Sequence, residues 1–220
     1  MVNKIDTEGC FTPNLTSDLI FKALIKKINY DCSILEMGCG SGFIGIKLFN
    51  TKSLNLKMHA SDISEISVEK TIKNYKNHSI PCQIKVSDGL SAWKNAKFDV
   101  IVSDVSAIDE DVANKSDWYV DAPCKTGDGG DKIILKLISQ VSGYLNKGGI
   151  FIFPLISLSN ENKIRSHLLK HNFKFQETFY KEWPLPEYFS DHINELHKRK
   201  SLKYIDFKEM FGKLICWTSV

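Results

Sequence analysis

Residues 34–42, Ile34-Leu35-Glu36-Met37-Gly38-Cys39-Gly40-Ser41-Gly42, constrain the fold of this chain more than any other stretch. An apolar run ends on a carboxylate and then breaks into three alternating glycines. Phe43 to Phe49 follow with a helical mix of apolar residues and lysine. Glycine lets a backbone turn sharply and approach a ligand with no Cβ in the way. A helix that starts there presents N–H groups left unpaired by its own first turn. The stretch reads as a strand, a cofactor loop and a helix N-terminus.

From residue 33 onward strands and helices alternate. Strands are expected at 33–37, 57–61, 82–86, 98–103, 150–154, 174–182 and 213–220, with amphipathic segments at 42–50, 63–77, 130–145 and 160–171. In the third of these, Ile133, Ile134, Leu137, Ile138, Val141 and Leu145 recur at helical spacing. Lys147-Gly148-Gly149 is expected to stop that helix and launch the next strand. Such alternation calls for an α/β fold, a mostly parallel doubly wound sheet with helices on both faces. Right-handed crossovers put the ligand at the carboxyl ends of the strands. The last pair departs from the pattern. Trp183-Pro184-Leu185-Pro186, a short helix at 187–200 and a return strand imply an antiparallel edge. Residues 1–30 are expected as an N-terminal cap with a short helix at 17–26, and 31–220 as one cofactor-binding domain.

The chain has 220 residues, 43% hydrophobic and 25% charged, with a formal charge of +3. That balance suits an ordinary folded domain and gives little support to nucleic-acid binding. The basic run His197-Lys198-Arg199-Lys200 reads as a solvated helix end. Neither a signal-peptide core nor a membrane-spanning stretch is evident. Cys10, Cys32, Cys39, Cys82, Cys124 and Cys216 stand singly, as reduced thiols would in a cytoplasmic protein. His167 and His171 are one helical turn apart, but no metal spacing is present and no metal is expected.

Gly40, Gly42 and Gly45 fit GxGxxG, which dinucleotide dehydrogenases share with enzymes of S-adenosyl-L-methionine (SAM). Glu36 stands two residues before the first glycine, where its charge would repel a pyrophosphate but serve a cationic amino acid moiety. Asp62 closes the second strand, suited to ribose hydroxyls. Ser87-Asp88-Gly89-Leu90 ends the third, suited to an adenine amino group. Carboxylates after three consecutive strands suit a cationic, phosphate-free nucleoside, so SAM is the expected cofactor.

With these residues the chain resembles the class I SAM-dependent methyltransferases, and within them the HemK-like branch that includes protein-glutamine N5-methyltransferases. Phe11-Thr12-Pro13 resembles the segment leading into the first helix, residues 36–42 the cofactor loop, and residues 98–103 the strand before the catalytic loop. Gly127-Asp128-Gly129-Gly130 resembles the turn after that loop. The resemblance implies a Rossmann-like seven-stranded sheet of order 3-2-1-4-5-7-6, with strand seven antiparallel. It implies cofactor contacts for Phe11, Glu36, Gly38, Gly40, Gly42, Asp62, Ile63, Asp88 and Gly89. In that branch strand four is followed by Asn-Pro-Pro-Tyr. Here Asp104-Val105-Ser106-Ala107 takes its place, so glutamine specificity is not carried over.

Asp104 becomes the catalytic candidate, since a carboxylate can orient an amine or accept its proton. Its competing role is to cap the following turn. Ser106 is a second candidate against a plain turn hydroxyl. Residues 109–128 form a long connection of the substrate-loop type. In it Trp118 and Tyr119 either shield the sulfonium, with Tyr119 in the active site, or staple the loop to the core. The expected reaction is methylation of a small-molecule amine or carboxylate, with no nucleic-acid or membrane partner. Two alternatives stay open. SAM alone could be cyclised to azetidine-2-carboxylate and methylthioadenosine, or the chain could bind SAM without turnover.

Overall fold

The computed structural model describes residues 4–119, 124–189, 208–210 and 213–220. The chain divides into two compact units, one of residues 1–105 and 140–153, the other of residues 106–139 and 154–220.

The first unit is built on five strands: β1 (Cys32–Met37), β2 (Leu56–Asp62), β3 (Cys82–Val86), β4 (Phe98–Ser103) and β5 (Leu145–Ile152). They form one parallel sheet in the order β3-β2-β1-β4-β5. Helix α1 (Leu15–Lys27) precedes β1; α2 (Phe43–Thr51) and α3 (Glu65–Asn77) are the crossovers on either side of β2. Central strands read as apolar runs because both faces are covered: Ile34, Leu35, Val100 and Ile101 are fully buried. Asn14 starts α1 with a capping box, its side chain accepting from the Thr16 N–H while the Ser17 hydroxyl accepts from the Asn14 N–H. Ser64 caps α3 through the Ser67 N–H.

The second unit holds α4 (Glu110–Asn114), most of α5 (Lys132–Val141), α6 (Glu161–Lys170), and strands β6 (Leu155–Ile156), β7 (Tyr180–Pro184), β8 (Lys208–Met210) and β9 (Lys213–Ser219). Its sheet runs β6-β9-β7, with β9 antiparallel to both and to β8.

The doubly wound α/β class stands as expected, and the antiparallel last strand is β9. The sheet itself needs correcting. Instead of one seven-stranded sheet there are a five-stranded parallel sheet and a separate antiparallel one. Between β5 and β6 lie Phe153 and Pro154, and proline has no N–H to continue a ladder. The strand expected at 150–154 begins at Leu145, running through Gly148 (φ +80°), with a register shift opposite Phe98–Val100 taking up the irregularity. The strand expected at 174–182 begins only at Tyr180 and takes in Trp183 and Pro184. Of the helix expected at 187–200, a single turn at Glu187–Phe189 is seen. The remainder, the basic run at 197–200 and Asp121-Ala122-Pro123 lie outside the described residues. Among the described residues no helix is long and apolar enough to cross a membrane, and no group of three metal-ligating side chains occurs.

Candidate active site

The chain leaves β1 toward β2 and β3 on one side of the sheet, then crosses to β4 and β5 on the other. The carboxyl ends of β1 and β4 thus flank the reversal point where such sheets open a ligand crevice. Met37 is in register with Ser103, so Gly38 and Asp104 leave neighbouring strand ends. A Cβ on Gly38 would lie 2.7 Å from the Val105 side chain, and its φ is +69°. Glycine is required there by space and by backbone together.

The glycine loop is moulded from two sides. From β2, the Ser61 carbonyl accepts the Gly38 and Cys39 N–H groups, at 2.8 and 3.1 Å, and the Asp62 carboxylate accepts that of Gly40 at 2.9 Å. From α3, three polar side chains at i, i+3 and i+4 reach the loop: Thr71, Asn74 and Tyr75, each at most 1% exposed. The Thr71 hydroxyl donates to the Gly40 carbonyl (2.8 Å), Asn74 Nδ2 to the Ser41 carbonyl (2.9 Å), and the Tyr75 hydroxyl to Glu36 Oε2 (2.8 Å). The same Glu36 oxygen accepts the Gly45 N–H at 3.0 Å, and the Ile44 N–H also donates to this carboxylate. Gly45 is a glycine because a Cβ would fall 1.9 Å from the Tyr75 hydroxyl.

Two consequences follow for the ligand. The N–H groups of Gly38, Cys39 and Gly40 in the loop, and those of Ile44 and Gly45 in the helix start that the sequence suggested would be unpaired, already have protein acceptors. A pyrophosphate needs such donors free. A buried carboxylate behind the loop opposes phosphate further and suits a cation. The residues present therefore fit a cationic, phosphate-free ligand.

Glu36 and Asp104 are the acidic groups most shaped by burial here. Glu36 is 2% exposed and desolvation pushes its carboxyl up to about 7, against the hydrogen bonds from Tyr75, Gly45 and Ile44. Asp104 is half-buried and desolvation raises it to about 6, opposed by the Ser17 hydroxyl, which donates to Oδ2 at 2.5 Å. Ser17 sits in the first turn of α1, so the N-terminal helix positions the carboxylate at the end of β4.

The other sequence candidates fall as follows. Asp62 Oδ1 accepts the Ser64 N–H at 2.9 Å while Oδ2 holds Gly40. Ile63, beside it, is 59% exposed. Asp88 is exposed at the end of β3, and Gly89 follows at φ +58° with its carbonyl accepting from the Ser87 hydroxyl. Gly40 and Gly42 have φ of +52° and +77°. Phe11 is half-buried in the segment before α1. All of these belong to the first unit. Ser106 and Tyr119 belong to the second. There the Ser106 hydroxyl bonds the Cys124 thiol. Tyr119 and Trp118 pack against the apolar cluster of Ile108, Val112, Leu158, Leu185 and Phe189, with Trp118 5.4 Å from the Phe189 ring. Both side chains are partly buried against that cluster.

Cys39 is buried and its thiol is pushed well up by desolvation, which keeps it protonated and inert. Asp99 fixes the strand start by accepting the Ser33 N–H and hydroxyl. Sequence reasoning missed Ser17, Thr71, Asn74 and Tyr75. For the last three, polar residues at i, i+3 and i+4 on the helix after an acidic strand end were the available signal; for Ser17 there was none beyond its capping position.

Residues 9–105 match the Methyltransferase small domain family. The chain is 28% identical over 166 residues to a provisionally named protein N5-glutamine methyltransferase of Methanocaldococcus jannaschii, covering 76% of this chain and 82% of that one. It is 29% identical over 160 residues to the ribosomal protein L11 methyltransferase of Lactobacillus acidophilus, covering 72% of this chain but only 41% of that relative. The solved ribosomal protein L11 methylase of Lactobacillus delbrueckii subsp. bulgaricus shares the fold at a TM-score of 0.58 and 20% identity, over 96% of this chain and 80% of that one.

Proposed function

We propose that the chain, whose residues 9–105 match the Methyltransferase small domain family, is a SAM-dependent methyltransferase and that it methylates an amine nitrogen held beside Asp104, on a small-molecule acceptor. SAM supplies an electrophilic methyl carbon on a sulfonium. The glycine loop holds the amino acid portion from below, with the Glu36 carboxyl as its floor. Asp62 takes the ribose hydroxyls, Asp88 and Gly89 the adenine edge, and Ile63 offers an apolar wall to its ring. Phe11 covers the same side from the N-terminal segment.

The observation that carries the reading is the Asp104 carboxylate, placed by Ser17 at the end of β4 beside Gly38. In-line displacement needs the nucleophile aligned about 3 Å from the carbon. A neutral amine gains positive charge as it attacks, and an oriented carboxylate stabilises that charge where it develops. Above about pH 6 Asp104 is ionised and able to do so. A carboxylate acceptor would instead be repelled, which favours the amine over the other acceptor class.

A second reading has its own support. The relatives above are named for protein substrates, so an amine on a protein is the competitor. Incubating the purified chain and SAM with a cell extract split by ultrafiltration tests both. S-Adenosylhomocysteine formed with the small-molecule filtrate supports the first reading; formation with the protein fraction alone sinks it. Methylthioadenosine appearing with no acceptor present would mean that SAM is cyclised.

A further inference from the structure

Asn74 does more than hold the glycine loop. Its Nδ2 donates to the Ser41 carbonyl at 2.9 Å and to the Asp6 carbonyl at 2.8 Å, and its Oδ1 accepts the Asp6 N–H at 3.2 Å. One buried amide therefore uses both donors and its acceptor to join the loop to the main chain of the N-terminal segment. The pairing with Asp6 copies a two-way backbone bridge. Around it, Lys70 Nζ lies 2.7 Å and Lys73 Nζ 3.5 Å from Asp6 Oδ2. The Asp6 carboxyl is held down to about 2, chiefly by Lys70. Asp6 Oδ1 also accepts the Glu8 N–H, the Cys10 N–H turns back on the Thr7 carbonyl, and Cys10 is buried against Ser67 of α3. Residues 6–10 thus run along α3 on Asn74, Lys70 and Ser67, while Thr71 and Asn74 hold the glycine loop from the same helix.

We propose that Asn74 is a positioning residue for SAM: it couples docking of residues 6–10 on α3 to the shape of the Gly40–Gly42 turn, so that the docked segment and the bound cofactor reinforce each other. The inference rests on the cofactor reading above. The physical basis is that an unsatisfied buried amide is costly. Releasing Asp6 removes two of the three Asn74 side-chain contacts, so that only the bond to the Ser41 carbonyl orients the amide and its hold on the glycine turn loosens. Any ligand that needs that turn will bind the docked form more tightly, and by linkage will tighten the segment in return.

Asn74→Ala removes part of the interior and can fail to fold, so the test uses Asp6→Ala and Lys70→Met, which touch no glycine-loop atom. Without ligand, hydrogen exchange in Asp6→Ala should quicken at residues 6–10 and also at Gly40–Gly42. S-Adenosylhomocysteine, titrated by calorimetry, should bind each variant about 5- to 20-fold more weakly, with the double variant no worse than the single ones. Asp6→Glu should restore most of the affinity. In the unmodified chain, saturating S-adenosylhomocysteine should slow exchange at residues 6–10. Normal affinity in Asp6→Ala, with its segment shown by exchange to be released, overturns the proposal alone. No binding by the unmodified chain overturns the cofactor reading, and the proposal with it.

Discussion

The ends of β1 and β4 are neighbours in one sheet, and each carries a carboxylate raised by burial, yet the two are held in opposite ways. Glu36 is wrapped by Tyr75, Gly45 and Ile44, so its carboxyl group is held in place inside the scaffold. Among the described residues, the side chain that donates to Asp104 is the Ser17 hydroxyl. Glu36 is in register with Val102 and Asp104 lies two residues beyond it, and the proposed roles are a floor for the first and a working group for the second. What separates them is the number of protein donors aimed at each carboxylate, because every lone pair taken by the protein leaves one fewer to offer a substrate.

If Glu36 is scaffold, disturbing its shell should hurt most. In Gly45→Ala the new methyl would meet both the Tyr75 hydroxyl and Glu36 Oε2, an overpacking that costs about 1–3 kcal/mol or more. SAM binding should fall below calorimetric detection and the urea midpoint should drop; near-normal affinity would break the comparison at once. If Asp104 is the working group, Asp104→Asn should leave SAM affinity within about twofold and slow turnover by about 100-fold or more. A loss of affinity instead would make Asp104 a scaffold residue like Glu36. Asp62→Ala lies between the two, since Asp62 both holds Gly40 and is proposed for the ribose. The loss of such charge-assisted bonds is about 1.5–3 kcal/mol, roughly 10- to 150-fold in affinity.

The smallest effect is on pH. Glu36 at about 7 and Asp104 at about 6 both bind protons more tightly folded than unfolded. Folded-state stability from these two groups therefore rises as pH falls from above 7 toward their ordinary carboxyl range, and declines again as pH rises. Turnover should run the other way and fail as Asp104 protonates near pH 6. Urea midpoints at pH 5 and pH 7.5, beside a pH–rate profile, read the two trends apart. A stability that rose with pH across this window in the native chain, but not in Asp104→Asn, would misassign the shift.

Much of the first unit was legible beforehand. The apolar run into Glu36, the alternating glycines and the carboxylates Asp62 and Asp88 each announce themselves locally, because strand ends and tight turns are set by nearest neighbours. Asp104 was legible as a departure from a motif. The second unit was read less well. Its strands β6 and β8 are only two and three residues long, too short for any periodicity, and β7 starts at Tyr180 rather than at residue 174. Trp118 and Tyr119 were ambiguous in sequence since an aromatic pair in a long loop fits either a lid or a staple; their packing against Leu158 and Phe189 is a tertiary fact.

The sequence by itself determined the glycine turn, the order of strands and helices through β4, and the acidic character of three successive strand ends, all of which follow from spacing a few residues long. Only the tertiary structure decided which carboxylate is locked and which is not. Thr71, Asn74, Tyr75 and Ser17 come from elsewhere in the chain, and Asn74 lies 68 residues from Asp6 and 33 from Ser41. No local pattern encodes a donor arriving from so far away, and it is the count of such donors that sets what each acid can do.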